Sequence, residues 1–402
     1  MGVGVWVYPW SIRDEGVSAF ADRVQRLGVT SVNASVLYHS ARALFPRGRQ
    51  TKVELLAGPG GHFPFERLDD QLGGIQSEFA KTAGREFWWD LAEQLRDRNV
   101  DLNAWAIPYH SSDFGGRLPE AVIRNCFGDA YTFALCPSQP ATRDVIATLV
   151  DELAQSGIFG AVQLESTGYL GYRHFHHHEM ESVGTGPLEE LLLSLCFCDA
   201  CTADAEAAGI QMPQLRQHCQ DELERRWRED VASSTVSEAR EAIASVPDLA
   251  ALIEYRQSAV SSALEPPRRS CTDAGAELHA FSAIFPKTLE QSTWIEGTDF
   301  SAWSQLLDRI MIFGYESGGP ASSAVGGEAM LSELDFVKQD FSPDAINTVL
   351  NLAPTYFPSL ADAQARLRLL ADAGISDISI TNYGMLGDTR LGWIPSLKAE
   401  LG

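Results

Sequence analysis

The chain has 402 residues, 45% apolar and 21% charged, a globular profile with material for one large α/β barrel or for two or three ordinary domains. Its 54 acidic residues against 31 Lys and Arg give a net charge of −23, which argues against a broad nucleic-acid or anionic-membrane face and leaves neutral ligands such as sugars open. No apolar run reaches the ~18 residues of a membrane span, and MGVGVWVYPW lacks a basic region ahead of an apolar core, so neither spanning helix nor signal peptide is expected and the protein reads as cytoplasmic.

In chain order, Val3 to Tyr8 reads as a strand stopped by Pro9-Trp10, and Gly16 to Leu27 has helical apolar spacing. Val29 to Tyr38 is a second strand, followed by a long loop rich in Gly and Pro. A helix over about 86–98 leads to a third strand, Val100 to Ile107, and a helix over about 142–155 to a fourth, Gly160 to Leu164. The rhythm then breaks. Residues 167–273 hold a His-rich loop, a cysteine cluster and two charged helical stretches, about 213–243 and 247–265. Strands resume with Glu277 to Phe285, Arg309 to Phe313, Ile346 to Leu352 and Ile375 to Ile380, with helices near 299–307 and 360–373 between them.

Eight strands alternating with helices predict an α/β fold, a single (β/α)8 TIM barrel over 1–402, with a large helical insertion after strand four at 167–273. Side chains at the strand ends converge on the C-terminal face of such a barrel. Trp10, Tyr38, His39, Arg42, Trp105, His110, Tyr169, His177, Tyr315, Asn382 and Tyr383 are therefore candidate substrate contacts, the aromatic ones as faces on which sugar rings stack. His176, His177 and His178 are adjacent in an extended loop, so their side chains diverge, and hydrogen bonding suits them better than sharing one ion.

Seven cysteines, three of them at Cys196-x-Cys198-x-x-Cys201, read as metal ligands plus buried thiols. Thiolates at that spacing can turn onto one tetrahedral ion, with Cys136 or Cys126 as the fourth ligand and Cys136 preferred for its place near the root of the insertion. Four sulfurs leave no open coordination position, so the implied zinc is structural.

Cys136-Pro-Ser-Gln-Pro-Ala-Thr-Arg143, a glutamate after strand four, and Cys196-Phe-Cys-Asp-Ala-Cys201 together resemble glycoside hydrolase family 42 β-galactosidases. The barrel also resembles uncharacterised bacterial glycosyl-hydrolase barrels. The resemblance implies that Cys136, Cys196, Cys198 and Cys201 hold zinc and that Glu165 is the general acid/base. Its specific motifs cover about residues 136–201. Two departures stand out: Leu164, not Asn, precedes Glu165, and the seventh strand ends Asn-Leu-Ala-Pro354 without the nucleophilic carboxylate.

Glycosidic cleavage ordinarily takes two carboxyl groups. Glu316, after strand six, is the first choice of partner, with Tyr315 beside it to stabilise developing positive charge; Asp299 and Glu296 follow, although Asp299-Phe-Ser-Ala-Trp303 also looks like a helix start capped by Asp299. The expected function is hydrolysis of a small or terminal glycoside. The rivals are a metal-dependent sugar isomerase or epimerase and a non-catalytic carbohydrate-binding barrel. The expected partner is a small carbohydrate, with no nucleic acid or membrane, and exposed insertion helices are compatible with a homodimer.

Overall fold

Eight parallel strands close into a barrel in chain order: β1 (Gly2–Val7), β2 (Ser31–Leu37), β3 (Asp101–Ala106), β4 (Ala161–Leu164), β5 (Glu277–Ala283), β6 (Arg309–Phe313), β7 (Ile346–Asn351) and β8 (Asp377–Thr381). Closure pairs the first strand with the last, Gly2 opposite Asp377 and Val5 opposite Ile380. The structure, a computed structural model, describes residues 2–49, 52–56, 58, 60–174, 181–283, 288–313 and 322–401. All eight strands predicted from the sequence are present, so the fold is a (β/α)8 barrel.

The helices form where the sequence gives them one apolar face. Val17–Arg26 buries Phe20, Ala21 and Val24; Pro140–Ala154 starts on a proline, whose missing N–H costs nothing at that position, and buries Val145, Ile146, Leu149, Val150 and Leu153. Each of the Phe, Val, Ile and Leu side chains among these contributes roughly 1.5–3 kcal/mol of burial free energy. Leu360–Asp372 is started by a capping box in which Ser359 and Asp362 satisfy each other's backbone N–H.

Among the described residues, two antiparallel hairpins interrupt the alternation. Ala41–Leu44 pairs with Val53–Leu56 inside the stretch read as a loop, and Val122–Arg124 pairs with Ala130–Leu135 just before Cys136. The stretch read as one helix over 213–243 is two, Met212–Arg228 and Val236–Ser245. Asp230 turns the chain with a φ of +49°, and Thr235 and Glu238 form a new capping box. Glu78–Arg96 starts eight residues earlier than the helix expected at 86, capped by Ser77 and broken at Gly84.

Between β4 and β5 the chain builds its own small core of Leu188, Leu191, Leu192, Leu215, Leu223, Leu249 and Leu252. The last helix of this segment, Pro247–Ala274, also packs on Pro140–Ala154 of the barrel wall, tying the segment to the main core. Among the described residues no helix is long and apolar enough to cross a membrane.

Alternate side chains of each strand enter the barrel. Outward positions are apolar, as expected for strands covered by helices. Inward positions change character along the axis. The middle layer is aromatic and apolar, with Trp6, Trp105, Phe281, Met311 and Val349. Below it, towards the strand N-termini, six strands each contribute a polar residue: Asn33, Asn103, Gln163, His279, Asn347 and Ser379. The strands are thus not uniformly apolar: the outward face is, and the inward face turns polar towards the strand N-termini.

Candidate active site

Glu165 follows the last residue of β4, and its backbone N–H still donates to the Ala106 carbonyl of β3, which holds it at the strand end. The chain then turns away sharply. Ser166 adopts a φ of +58°, unusual for a residue with a Cβ, and Thr167 Oγ1 donates to the Leu164 carbonyl at 2.9 Å. At Gly168 a Cβ would stand 2.5 Å from the Glu296 carbonyl oxygen, so only glycine permits this approach. Tyr169 N–H donates to that same carbonyl at 2.9 Å. The turn bearing the carboxylate is thereby clamped to the loop after β5.

The carboxyl sits half-buried over an aromatic bowl. Trp105 Nε1 donates to Glu165 Oε2 at 2.7 Å. Trp105 meets Tyr38 edge-on at 5.1 Å, Tyr38 meets Tyr8 edge-on at 5.1 Å, and Trp10 stacks on Tyr8 at 4.7 Å. On the other side His39 stacks between Tyr38 and His110, at 4.5 and 4.3 Å. Burial pushes the Glu165 carboxyl up to about 7, against which the Trp105 hydrogen bond pulls down. The Tyr38 phenol is raised well above its ordinary range by burial and then by the nearby Tyr8 and Glu165. Burial lowers His39, so it is neutral at pH 7. A carboxyl that exchanges its proton near neutrality, beside flat apolar rings, can serve as a general acid or base towards a polar ligand with apolar faces.

Replacing Trp105 with Phe removes the hydrogen bond that favours the Glu165 carboxylate while keeping an aromatic ring. The basic limb of any pH–rate profile governed by Glu165 is expected to move to higher pH. An unmoved limb would mean that another group sets it.

The candidate residues divide by place. Trp10, Tyr38, His39, Trp105, His110 and Glu165 come together in the bowl. Tyr8 belongs there too and was passed over in the sequence, although it ends the first predicted strand. Tyr383 lies elsewhere: fully buried, it donates to Glu15 Oε2 at 2.6 Å and carries the Arg47 guanidinium over its ring at 4.4 Å. It lines a cleft of about 500 Å³ between the first hairpin and the helix Pro9–Glu15. Trp10 borders both that cleft and the bowl, whereas Glu165 does not line the cleft. Arg42 is exposed on the hairpin. Asn382 accepts from Gly384 N–H at 3.1 Å and shapes the turn after β8. Asp299 accepts from Ala302 N–H at 3.0 Å as the N-cap of Phe300–Leu306, the alternative its sequence offered. His177, Tyr315 and Glu316 lie outside the described residues.

Tyr169 is buried beneath the site rather than in the bowl. Its hydroxyl lies 2.6 Å from Ser138 Oγ and 3.5 Å from Cys201 Sγ. It thus links the turn after Glu165 to four buried cysteines. Cys136, Cys196, Cys198 and Cys201 have sulfurs within 4.8 Å of one another, with Cys136 at 3.8, 3.7 and 3.4 Å from the other three. A tetrahedron with metal–sulfur bonds of about 2.3 Å has edges of roughly 3.8 Å, so this set can hold a metal ion. Gln139 Nε2 donates to Cys198 Sγ at 3.3 Å. Cys126, the other candidate fourth ligand, is instead buried in the core of the inserted segment, where its carbonyl accepts from Arg216 and Gln220.

Arg256 holds these parts together. It is fully buried and donates to the carbonyls of Trp294, Ser194 and Ile295 at 2.8, 3.1 and 2.6 Å, with its guanidinium 4.3 Å over the Tyr169 ring. Arg256→Leu orphans three carbonyls and is expected to cost about 3 kcal/mol or more. The urea midpoint measures it, and a shift below about 1 kcal/mol would remove Arg256 from the framework.

No protein-family model and no curated protein sequence matches the chain. Solved structures do match in fold. The PgaB (BpsB) glycoside hydrolase domain from Bordetella bronchiseptica superposes with a TM-score of 0.60 at 12% identity, over 99% of this chain and 97% of that one. The catalytic domain of β-amylase from Paenibacillus polymyxa gives 0.58 at 11% identity, over 100% and 98%. A β-galactosidase from the Antarctic haloarchaeon Halorubrum lacusprofundi gives 0.58 at 12% identity, with this chain spanning 58% of that chain's length.

Proposed function

We propose that the protein is a glycoside hydrolase acting on a small or terminal glycoside, with Glu165 as the general acid/base. The observation that carries this reading is a carboxyl at the end of β4, raised to about 7 and hydrogen-bonded by Trp105 within an aromatic bowl. At neutral pH a large share of Glu165 is protonated and can donate to the glycosidic oxygen as that bond breaks. The resulting carboxylate can then take a proton from the incoming water. Trp10, Tyr38 and Trp105 offer ring faces to the sugar, and His110 and the neutral His39 offer hydrogen bonds to its hydroxyls. Glu316, after β6, is our partner carboxylate, with Tyr315 beside it. The fold shared with enzymes named as a glycoside hydrolase, a β-amylase and a β-galactosidase agrees with this reading.

Zinc is the metal we assign to the four cysteines. Their all-sulfur donor set and spacing fit it, and it would serve to fix the turn beneath Glu165 rather than to meet substrate. Cys136 would tie the barrel wall to the inserted segment, and Tyr169 would carry that order up to the catalytic turn.

The test is hydrolysis of a panel of aryl glycosides, with and without brief EDTA treatment that leaves the protein folded. Turnover indifferent to the chelator supports the two-carboxylate reaction and identifies the sugar. Chelator-sensitive hydrolysis in folded protein would replace it with a metal-dependent reaction, and absence of turnover on every member would leave the isomerase and binding-barrel readings ahead. Sugar binding without turnover would favour a binding barrel, a reading to which the capping role of Asp299 lends weight.

A further inference from the structure

The barrel has a second compartment. Beneath the layer of Trp6, Trp105 and Phe281, at the end opposite Glu165, a cavity of about 550 Å³ opens towards the strand N-termini. That volume is in the range of small-molecule sites. Its floor is a network of amides and an imidazole. Asn103 Nδ2 and Gln163 Nε2 both donate to Asn33 Oδ1, at 2.9 and 3.0 Å. Gln163 Nε2 also lies 3.3 Å from His279 Nδ1, and His279 Nε2 lies 2.8 Å from Glu277 Oε2. With both amide hydrogens of Gln163 engaged, its Oε1 is left with no donor, although the residue is only 2% exposed. Asn347, 4% exposed, likewise has an Oδ1 without a donor. Two buried carbonyl oxygens facing a polar cavity call for a ligand that donates hydrogen bonds.

The rim decides its charge. Asp101, Glu277, Asp344 and Asp377 line the opening with a single guanidinium, Arg309. Arg309 is already committed to Asp377 at 2.9 Å and to Glu277 at 3.5 Å. Four carboxylates against one guanidinium leave the rim with negative charge in excess of its cation, and partial desolvation, with the charge of Glu277 added, raises Asp101 from its ordinary value. A bare metal ion fits poorly. Among the described residues, the four cysteines are the group of three or more His, Cys, Asp or Glu whose donor atoms converge to metal spacing.

We propose that this cavity binds a small protonated amine, its ammonium hydrogens directed to Gln163 Oε1 and Asn347 Oδ1 and its charge balanced by the acidic rim. The site is separate from the Glu165 bowl and does not depend on the glycosidase reading.

The experiment is calorimetric titration of the full chain with 1,4-diaminobutane at constant ionic strength, with 1,4-butanediol as the neutral match. Saturable one-site binding of the diamine is expected, at least about tenfold tighter than the diol. The exposed rim variant Asp101→Asn, which leaves the floor intact, and the floor variant Asn347→Leu are each expected to weaken it by about tenfold or more. Absence of saturable diamine binding overturns the proposal, as does equal binding of the diol. Diamine binding that survives both variants also overturns it, because attraction to the surface at large would then explain the signal.

Discussion

Glu165→Gln is expected to lower glycoside turnover by about 10²–10⁴-fold, the usual contribution of a positioned general acid/base. It is expected at the same time to make the protein more stable in alkaline solution. The wild-type carboxyl titrates near 7 when folded, against an ordinary value of 4.5. Between those values the folded protein holds a proton that the unfolded chain releases, so the stability from this group is complete below about 4.5 and declines as pH rises through about 7. The full shift would correspond to roughly 3 kcal/mol, and the half-buried position of the carboxyl reduces this to about 1–3 kcal/mol. Gln does not titrate, so the variant should match or fall below the wild type at pH 4.5 and exceed it at pH 8. Chemical denaturation at those two values measures the crossing. A variant with undiminished turnover would remove Glu165 from the chemistry; a pH-independent stability difference would remove its raised pKa.

The second large effect is expected at the cysteines. Cys196→Ala or Cys201→Ala should lose close to one equivalent of bound metal and several kcal/mol of stability, because binding energy at a structural site is folding energy. Cys126→Ala provides the control: equally buried but outside the cluster, it should keep the metal and cost only what a small cavity costs, about 1–2 kcal/mol. Elemental analysis with urea unfolding reads both quantities. Metal retained by either cluster variant, or lost by Cys126→Ala, would dissolve the assignment. The loss should also reach Glu165, since Tyr169 bonds to the cysteine side and shares a clamped turn with the carboxylate.

The barrel was legible because its signals are local and repeated. Each strand is a short apolar run stopped by a turn, and a closed parallel sheet with covered faces needs such runs. The hairpins escaped because they are short and two-stranded, and Ala41–Leu44 alternates too briefly to stand out between proline and glycine. The cysteine set was legible from spacing, and the fourth member fell to Cys136 because the second hairpin delivers Leu135 and Cys136 to the root of the insertion. The division of the aromatic residues was not legible. Tyr38 and Tyr383 both follow strand ends, but Arg47, in the turn of the first hairpin, donates to the Tyr383 carbonyl, and the Tyr383 hydroxyl goes to Glu15 instead of to Glu165. The polar tier was visible in principle: Asn33, Asn103, Gln163, His279, Asn347 and Ser379 each interrupt an apolar strand. Read singly they look like blemishes, and only the stagger of the barrel shows them to be one surface.

Closure of β1 on β8 has a consequence for synthesis. The first barrel strand to leave the ribosome, Gly-Val-Gly-Val-Trp-Val, finds its partner on one edge only after the chain as far as Asp377 and beyond has been made. At 5–20 residues per second that wait lasts on the order of tens of seconds to a minute. During it β1 can pair with β2 but must present its other edge, apolar on both faces, to the crowded cell. Nascent chains truncated before Asp377 should therefore be the species that chaperones hold and that aggregate first.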